Sequence, residues 1–231
     1  MRLLVISDIH GNIFALKSLL SQERISDYDR IVFCGDVVGY FFSVSQTIDT
    51  LMDIENLVAV KGNHDEMFLE LSRDDVAQDQ LIEKYGASYL AHLNEDQMHF
   101  LSQLPERAVL ESDGLRIGIC HGSWNDPLGG RIYPDTPLLA GSPEIPDDLD
   151  LLLCGHTHYA MEKVVGSLRV VNPGSLGQPR DRGGFRYCAL DTRTETADFR
   201  TVCVSEREID SLLKSEPNQN LRKYLLGKIY V

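Results

Sequence analysis

The sequence predicts an α/β fold, and three observations lead to that class. Apolar runs of strand length alternate with amphipathic helical segments through the first sixty residues. A long helical block follows, and beyond it short strands recur between turn residues. Apolar residues make up 43% and charged residues 25% of 231 residues, which is ordinary for a soluble globular protein. We therefore expect one domain spanning residues 1–231.

The first part of the chain alternates strand and helix. Short apolar runs predict buried strands at 3–7, 31–34 and 57–60. Two helices lie between them, and their apolar residues at helical spacing are Ile13, Leu16, Leu19 and Leu20 in the first and Ile48, Leu51 and Met52 in the second. Strands that alternate with helices imply a parallel sheet built from right-handed crossovers.

The block at 66–104 has a helical pattern and ends at Pro105, so we expect a helical cap beside the sheet. The next two strands, 107–111 and 115–120, flank a hairpin turn. Further short strands are predicted at 151–154, 163–165, 168–171, 185–190 and 197–204. The segment 122–146 is rich in Gly, Pro and Asp and predicts a long loop.

The tail from Asn220 onward predicts a final helix. Its aromatic residues Tyr224 and Tyr230 are compatible with a homodimer, and a tail packed on its own chain explains them equally.

Charge and cysteine content exclude several classes of protein. The formal net charge of −13 opposes binding to a nucleic-acid duplex or to an anionic membrane surface. No uncharged apolar stretch approaches the roughly 18 residues that a membrane span needs. Five cysteines form no C-x-x-C pair and are an odd number, which fits free thiols in a reducing cytoplasm.

Five predicted strands are each followed at once by residues that can bind a metal ion. The blocks are Ser7-Asp8-Ile9-His10, Cys34-Gly35-Asp36, Lys61-Gly62-Asn63-His64-Asp65, Cys120-His121-Gly122 and Cys154-Gly155-His156-Thr157-His158. Ligand sites of open α/β sheets gather at the carboxyl ends of strands. Five of the seven histidines lie in these blocks, which core packing alone does not explain.

The spacing within the blocks predicts convergence. Side chains two apart in an extended segment point the same way, so Asp8 can meet His10, and His156 can meet His158. Asp36 would reach the same point from the neighbouring strand. Carboxylate, imidazole and amide ligands without thiolate suit Mn²⁺, Fe²⁺ or Zn²⁺. A single D-x-H or G-D block is more often a capped turn, whereas the full ordered set favours a metal centre.

These blocks resemble the calcineurin-like metallophosphoesterase superfamily, whose pattern reads D-x-H, G-D, G-N-H-D/E, H and G-H-x-H. Every block is present in that order from Asp8 to His158. The segments Asn172-Pro173-Gly174-Ser175 and Gln178-Pro179-Arg180 look like a further signature of the small bacterial phosphodiesterase branch. The resemblance implies that the α/β fold is a four-layer α/β/β/α sandwich of the metallophosphoesterase type, with a helical insertion at 66–104.

The resemblance also implies a dinuclear metal centre. One ion would take Asp8, His10, Asp36 and His158, and the other would take Asp36, Asn63, His121 and His156, with Asp36 bridging. Two divalent ions are expected, Mn²⁺ first, with Fe, Zn or Ni as alternatives. A hydroxide bridging the ions would attack the phosphate. His64 is the candidate general acid for the leaving oxygen, and Asn63 is a second candidate contact to the phosphate.

The expected function is hydrolysis of a small phosphodiester or nucleotide, dinucleoside polyphosphates included. A phosphomonoesterase or protein phosphatase is the alternative enzyme. Protein phosphatases carry a D-R-G segment whose Asp orients the catalytic histidine, and Asp36-Val37-Val38-Gly39-Tyr40 lacks it. A non-catalytic scaffold resembling the retromer subunit is the alternative without activity. The full ligand set disfavours that scaffold, because function is argued from the site rather than from the fold.

Five residues near the blocks have two interpretations each. Phe41 and Phe42 could line a substrate pocket, although core packing is favoured. Trp124 could stack on a substrate ring or anchor its own loop. Arg180 and Arg182 could meet distal phosphates or be solvated loop charges.

Overall fold

The computed structural model describes residues 1–71, 75–138, 148–181, 184–214, 216 and 219–229. Ten strands lie in these ranges: β1 (Arg2–Ile6), β2 (Arg30–Phe33), β3 (Leu57–Ala59), β4 (Arg107–Ser112), β5 (Leu115–Cys120), β6 (Leu151–Leu153), β7 (Ala160–Val165), β8 (Leu168–Pro173), β9 (Phe185–Asp191) and β10 (Thr196–Val202). The α-helices of the same ranges are α1 (Ile13–Gln22), α2 (Val44–Met52), α3 (Asn63–Leu71), α4 (Asp75–Tyr85), α5 (Glu95–Gln103), α6 (Glu206–Lys214) and α7 (Gln219–Ile229).

The described strands form two mixed sheets of five strands each. The first has the order β10-β9-β1-β2-β3, in which β1, β2 and β3 are parallel and β9 and β10 are antiparallel. The second has the order β4-β5-β6-β8-β7, in which β5, β6 and β8 are parallel between antiparallel edge strands. The predicted α/β sandwich is confirmed.

Strand β1 of the first sheet is buried on both of its faces. Successive side chains of a strand point to opposite faces. Leu3 and Val5 pack between the two sheets, whereas Leu4 and Ile6 pack on the helical side. A strand covered on both faces reads as a continuous apolar run, which is why the sequence predicted it.

The layers differ in what covers them. Helices α1 to α6 all pack on the outer face of the first sheet. The outer face of the second sheet is covered, in the described residues, by the segment 121–138 and Leu149. Ile132 and Trp124 of that segment pack against apolar residues of β6, β7 and β8.

The predicted elements are found with small shifts at their ends. The helical block begins earlier than predicted, at Asn63, and contains α3, α4 and α5. The predicted loop 122–146 has neither helix nor strand up to residue 138, and the rest of it falls mostly outside the described residues. Helix α6 was not predicted. Among the described helices none is both long enough and apolar enough to cross a bilayer.

Candidate metal centre

The candidate ligands follow the carboxyl ends of five strands. Asp8 and His10 follow β1, Asp36 follows β2, Asn63 begins α3 after β3, His121 follows β5, and His156 and His158 follow β6. The first four come from the first sheet and the other three from the second sheet. The site therefore lies on the seam where the ends of the two sheets meet.

Asp8, His10 and His158 form one compact group of donors, and all three are buried. His158 Nε2 lies 3.2 Å from Asp8 Oδ1 and 3.2 Å from His10 Nε2. The distance between His10 Nε2 and Asp8 Oδ1 is 3.9 Å. This is the first of the two sets that the resemblance implied, without Asp36.

Asp36, His121 and His156 form the second group. His121 Nε2 is at its middle, 3.2 Å from Asp36 Oδ2 and 3.1 Å from His156 Nδ1. The amide oxygen of Asn63 lies 3.1 Å from the same nitrogen. The structure thus brings together all four residues of the second implied set.

Asp36 connects the two groups through one oxygen. Its Oδ2 is 3.2 Å from His121 Nε2 in the second group and 3.9 Å from His10 Nε2 in the first. Its other oxygen, Oδ1, accepts the backbone N–H of His64 at 2.8 Å. One oxygen is therefore held by the backbone, and the other faces both groups.

The far nitrogens of three histidines indicate which atom is available as a ligand. Nδ1 of His10, His121 and His158 lies 2.6–2.8 Å from a backbone carbonyl oxygen, on Val38, Cys34 and Gln178 respectively. A carbonyl oxygen only accepts, so each Nδ1 carries the proton and each Nε2 keeps its lone pair.

The donor set fits a pair of divalent cations. Lone pairs of His10 and His158 face each other beside Asp8 Oδ1, which is buried without a hydrogen-bond partner in the described residues. Such an arrangement is repulsive by itself and favourable around a cation. Oxygen and imidazole donors without thiolate are typical of Mn, Fe or Zn sites.

The electrostatics of the histidines agree with this fit. Burial lowers the pKa of His10 and of His156 to about 3, so both are neutral and can act as ligands. Burial alone would also lower the pKa of His121, but the carboxylate of Asp36 outweighs it and raises the pKa to about 9. The field at His121 Nε2 thus favours a positive charge, which a metal ion would supply.

The ligands are carried by an unusual backbone. Left-handed φ angles between 50° and 65° occur at Asp8, His10, Asp36, Tyr40, His156 and His158. Residues other than glycine rarely adopt such angles, and the resulting strain is concentrated at functional sites. The prediction from extended spacing was therefore wrong in two ways. Asp8 and His10 meet through left-handed residues rather than through an extended segment, and His156 and His158 lie in different donor groups.

Gly62 shows why a glycine precedes Asn63. A Cβ atom at this position would lie 2.1 Å from Asp36 Oδ1 and 2.4 Å from the Asp36 backbone nitrogen. Only a residue without a side chain lets these two loops approach so closely.

His64 lies next to the first donor group in an aromatic enclosure. Its ring centroid is 5.1 Å from that of His10, 5.5 Å from that of Tyr40 and 4.7 Å from that of Tyr85. Its Nδ1 lies 2.8 Å from the hydroxyl oxygen of Tyr89. The helical block supplies both Tyr85 and Tyr89, which sequence reasoning missed because both read as ordinary residues of a helical pattern.

The aromatic candidates have different environments. Phe41 is fully buried in the core on the helical side, whereas Phe42 is 48% exposed. Trp124 packs against the second sheet, and its carbonyl oxygen accepts a hydrogen bond from Arg107 Nε at 2.5 Å. Trp124 therefore anchors its own loop, as the second interpretation proposed, and the exposed side chain of Phe42 was not expected from core packing.

The segment 172–180 braces the ligand loops. Asn172 Nδ2 donates to the carbonyl oxygen of Gly155 at 2.6 Å, and Ser175 Oγ donates to that of Asp8 at 2.8 Å. The backbone N–H of Arg180 donates to the carbonyl oxygen of His158 at 3.4 Å, so Arg180 lies beside the site. Arg182 is outside the described residues.

Known proteins resemble this chain over most of its length. The model of the calcineurin-like phosphoesterase superfamily domain matches residues 1–195. The uncharacterized protein MJ0912 of Methanocaldococcus jannaschii is 27% identical over 98% of this chain and 96% of its own. The phosphodiesterase YfcE of Escherichia coli is 23% identical over 83% of this chain and 88% of its own.

A solved structure is similar over the whole chain. The crystal structure of a metallophosphoesterase from Sphaerobacter thermophilus superimposes with a TM-score of 0.78 at 25% identity. The match covers 99% of this chain and 100% of that one.

Proposed function

The chain belongs to the calcineurin-like phosphoesterase superfamily and is a metal-dependent phosphoesterase, and from that premise we propose that it hydrolyses a small phosphodiester or nucleotide at a centre of two divalent ions. A relative named as a phosphodiesterase supports the diester over a monoester. The absence of a D-R-G segment after Asp36 also disfavours a protein phosphatase.

The position of Asp36 is the observation that carries the proposal. Its Oδ2 lies 3.9 Å from His10 Nε2 in the first donor group and 3.2 Å from His121 Nε2 in the second. An oxygen placed in this way can be shared by two ions, and we assign the bridging role to it. Asp8, His10 and His158 complete the first set, and Asn63, His121 and His156 complete the second.

When bound, two divalent ions supply Lewis acidity toward the phosphate and lower the pKa of water toward neutrality. In the proposal, the side chains of this protein bind the phosphate and donate the proton to the leaving group. Asn63 both holds an ion and contacts the phosphate. His64 donates a proton from Nε2 to the leaving oxygen as its bond to phosphorus breaks.

Mn²⁺ is the proposed ion, with Fe, Zn or Ni as alternatives, because imidazole, carboxylate and amide donors suit all four. The substrate is small, and a dinucleoside polyphosphate is included in the proposal because Arg180 lies next to His158. Its guanidinium is suited to phosphates beyond the one that reacts.

The cellular compartment, the partners, the domain number and the oligomeric state are also part of the proposal. All five cysteines are free, and four of them are buried, which supports a reducing cytoplasm. The net charge of −13 supports a partner other than a nucleic-acid duplex. A single domain is supported by one helix-side core that includes residues of β1 and of α6. Exposed Tyr224 and Leu226 support a homodimer through α7, which sedimentation equilibrium would test.

Metal content and turnover of Asp36→Asn test the proposed centre. The wild type, loaded with Mn²⁺, should hold about two ions per chain and hydrolyse bis(p-nitrophenyl) phosphate. The variant keeps the shape of the side chain but removes the shared charge, so we expect it to lose at least one ion and turnover to fall more than about 100-fold.

Asp148→Asn is the matched control, since Asp148 is an exposed residue paired with Arg116 on the second sheet. This control should retain both metal and activity. A wild type that binds no metal, or one that Mn²⁺ cannot activate, contradicts the catalytic proposal and favours the scaffold. Faster hydrolysis of p-nitrophenyl phosphate than of the diester contradicts the substrate class.

A further inference from the structure

His64 has a polar partner that the metal centre does not explain. Its Nδ1 lies 2.8 Å from the hydroxyl oxygen of Tyr89, and both side chains are buried. The two residues are 25 positions apart, so the contact depends on the helical block folding over the site. The same hydroxyl lies 3.5 Å from the carbonyl oxygen of His64.

The fold holds Tyr89 firmly in this place. Tyr89 is 0% exposed, and its ring packs against those of Phe68 and Tyr85, with centroids 6.3 and 6.2 Å away. Gln78 Nε2 of α4 donates to the carbonyl oxygen of Tyr89 at 2.8 Å. A short 3₁₀ turn after Gly86 carries the residue. Its side chain and its backbone are thus both held by contacts within the helical block.

We propose that Tyr89 is a positioning residue, whose hydroxyl oxygen accepts the Nδ1–H of His64 and so turns the Nε2–H toward the leaving oxygen. This inference rests on the proposed function, in which His64 is the general acid. In phosphatases with a D-R-G segment an aspartate orients the corresponding histidine, and no such aspartate follows Asp36 here. A tyrosine from the helical block takes that place.

The protons balance in this arrangement. As the bond between phosphorus and the leaving oxygen breaks, its electron pair stays on that oxygen, and the proton on His64 Nε2 moves to it. The proton on Nδ1 stays bonded to the Tyr89 hydroxyl. Burial and the nearby carboxylates raise the pKa of Tyr89 well above its usual value, so the hydroxyl keeps its own proton throughout.

A leaving-group comparison with Tyr89→Phe tests the proposal. The variant removes one hydroxyl and keeps the ring. The substrates are the p-nitrophenyl and phenyl esters of thymidine 5′-monophosphate, which differ mainly in how much the leaving oxygen needs a proton. We expect kcat for the phenyl ester to fall about tenfold and that for the nitrophenyl ester to fall about twofold or less, with KM unchanged.

Three further variants make the test decisive. Tyr187→Phe also removes the hydroxyl of a buried tyrosine, one that is bonded to Glu23 at the end of α1 and belongs to neither donor group, and it should leave both rates unchanged. His64→Ala should keep its metal content and lose about 100-fold on the phenyl ester. The double variant His64→Ala/Tyr89→Phe should be no slower than His64→Ala, because Tyr89 acts only through His64.

Each failure has a distinct meaning. Equal losses on both esters, or an additive effect in the double variant, would overturn the positioning role of Tyr89. Full activity in Tyr89→Phe together with a slow His64→Ala would overturn the inference and leave the proposed function intact. A wild type inactive on both esters, or a fully active His64→Ala, contradicts the proposed function itself.

Discussion

Among single residues, Asp65 determines the shape of the loop that carries Asp36. Its two carboxylate oxygens accept four backbone N–H groups at 2.9–3.0 Å, those of Asp36, Val37, Val38 and Gly62. Burial and then the charge of Asp36 raise the pKa of Asp65 to about 7, and the N–H donors oppose that rise. The left-handed conformation of Asp36 is thus stabilised from outside the metal ligands.

Asp65→Asn should therefore weaken both the fold and the metal centre. The amide has one oxygen and cannot accept all four N–H groups, so at least one buried donor loses its partner. We expect the free energy of unfolding to fall by about 3 kcal/mol, and the bound metal to decrease. Urea unfolding and metal analysis measure both effects. Wild-type metal content in a destabilised variant would show that Asp65 does not hold the Asp36 loop.

Sequence reasoning found the ligands because each block is local, with a polar residue directly after a buried strand. It did not find Tyr89, whose contact with His64 depends on how the helical block folds over the sheet. It also predicted an extended backbone at Asp8 and His10, where the structure has left-handed residues. Spacing in the sequence cannot predict these backbone angles, because the surrounding loops set them. Core packing was favoured for both Phe41 and Phe42, but only Phe41 is buried and Phe42 is exposed.

Among the elements, α5 has the clearest local signal for its start. Asn94 Oδ1 accepts the backbone N–H of Gln97 at 2.9 Å, and Gln97 Oε1 accepts that of Asn94 at 3.0 Å, which is a capping box. Gln97 Nε2 also donates to Ser45 Oγ and Asp49 Oδ1 of α2. The cap therefore fixes the start of one helix and its contact with another.

Asn94→Ala should lower the free energy of unfolding by about 1 kcal/mol, because one N-terminal N–H of α5 loses its acceptor. Diester turnover should not change, since α5 supplies no residue of the proposed site. Asn94→Asp, which restores an acceptor at the cap, should recover the lost stability in the same urea titration. An equally unstable Asn94→Asp would mean that the cap is not the cause.

Strands β1 and β2 of the first sheet were predictable because both of their faces are apolar, whereas α6 was overlooked. Its buried residues Ile209, Leu212 and Leu213 have helical spacing, so the signal exists. The surrounding residues are strongly charged, and the segment directly follows a strand pattern, which obscured it.

On the scale of the whole molecule, Glu23 connects distant parts of the chain at the end of α1. Its carboxylate accepts the hydroxyls of Tyr28 and Tyr187 at 2.6 Å and Arg200 Nη1 at 2.7 Å. Burial would raise the pKa of Glu23, but these hydrogen bonds, from Tyr187 first, lower it below its usual 4.5. Its folded-state pKa is therefore below its unfolded-state pKa.

Glu23→Gln should lower the free energy of unfolding by about 2 kcal/mol at pH 7, where the carboxylate is charged in both states. Because the folded-state pKa is the lower of the two, the ionised carboxylate stabilises the folded protein fully at pH values above the unfolded-state pKa of about 4.5. This stabilisation is lost as the pH falls through the folded-state pKa. The difference in the free energy of unfolding between the variant and the wild type should therefore become smaller below pH 4.5. Urea unfolding at pH 7, 5 and 4 measures it, and a constant difference contradicts this account.

The global arrangement was the least predictable from sequence. Local turns predicted the β4–β5 hairpin, but the pairing of Leu4 with Ala189 joins strands from opposite ends of the chain. That pairing depends on the complete core rather than on any local pattern. The covering of the second sheet by segment 121–138 was likewise not visible in periodicity.

The seam between the two sheets has a consequence for the energetics of the fold. Asp8 and His10 of the first sheet face His158 of the second, and Asp36 of the first faces His121 and His156 of the second. Each proposed ion would therefore act as a reversible cross-link between the layers. By mass action, a ligand that binds only the folded chain stabilises it in proportion to the logarithm of its free concentration. Resistance to heat would then track the ambient supply of divalent ions, and ion scarcity would loosen the sandwich along the same edge where catalysis is proposed.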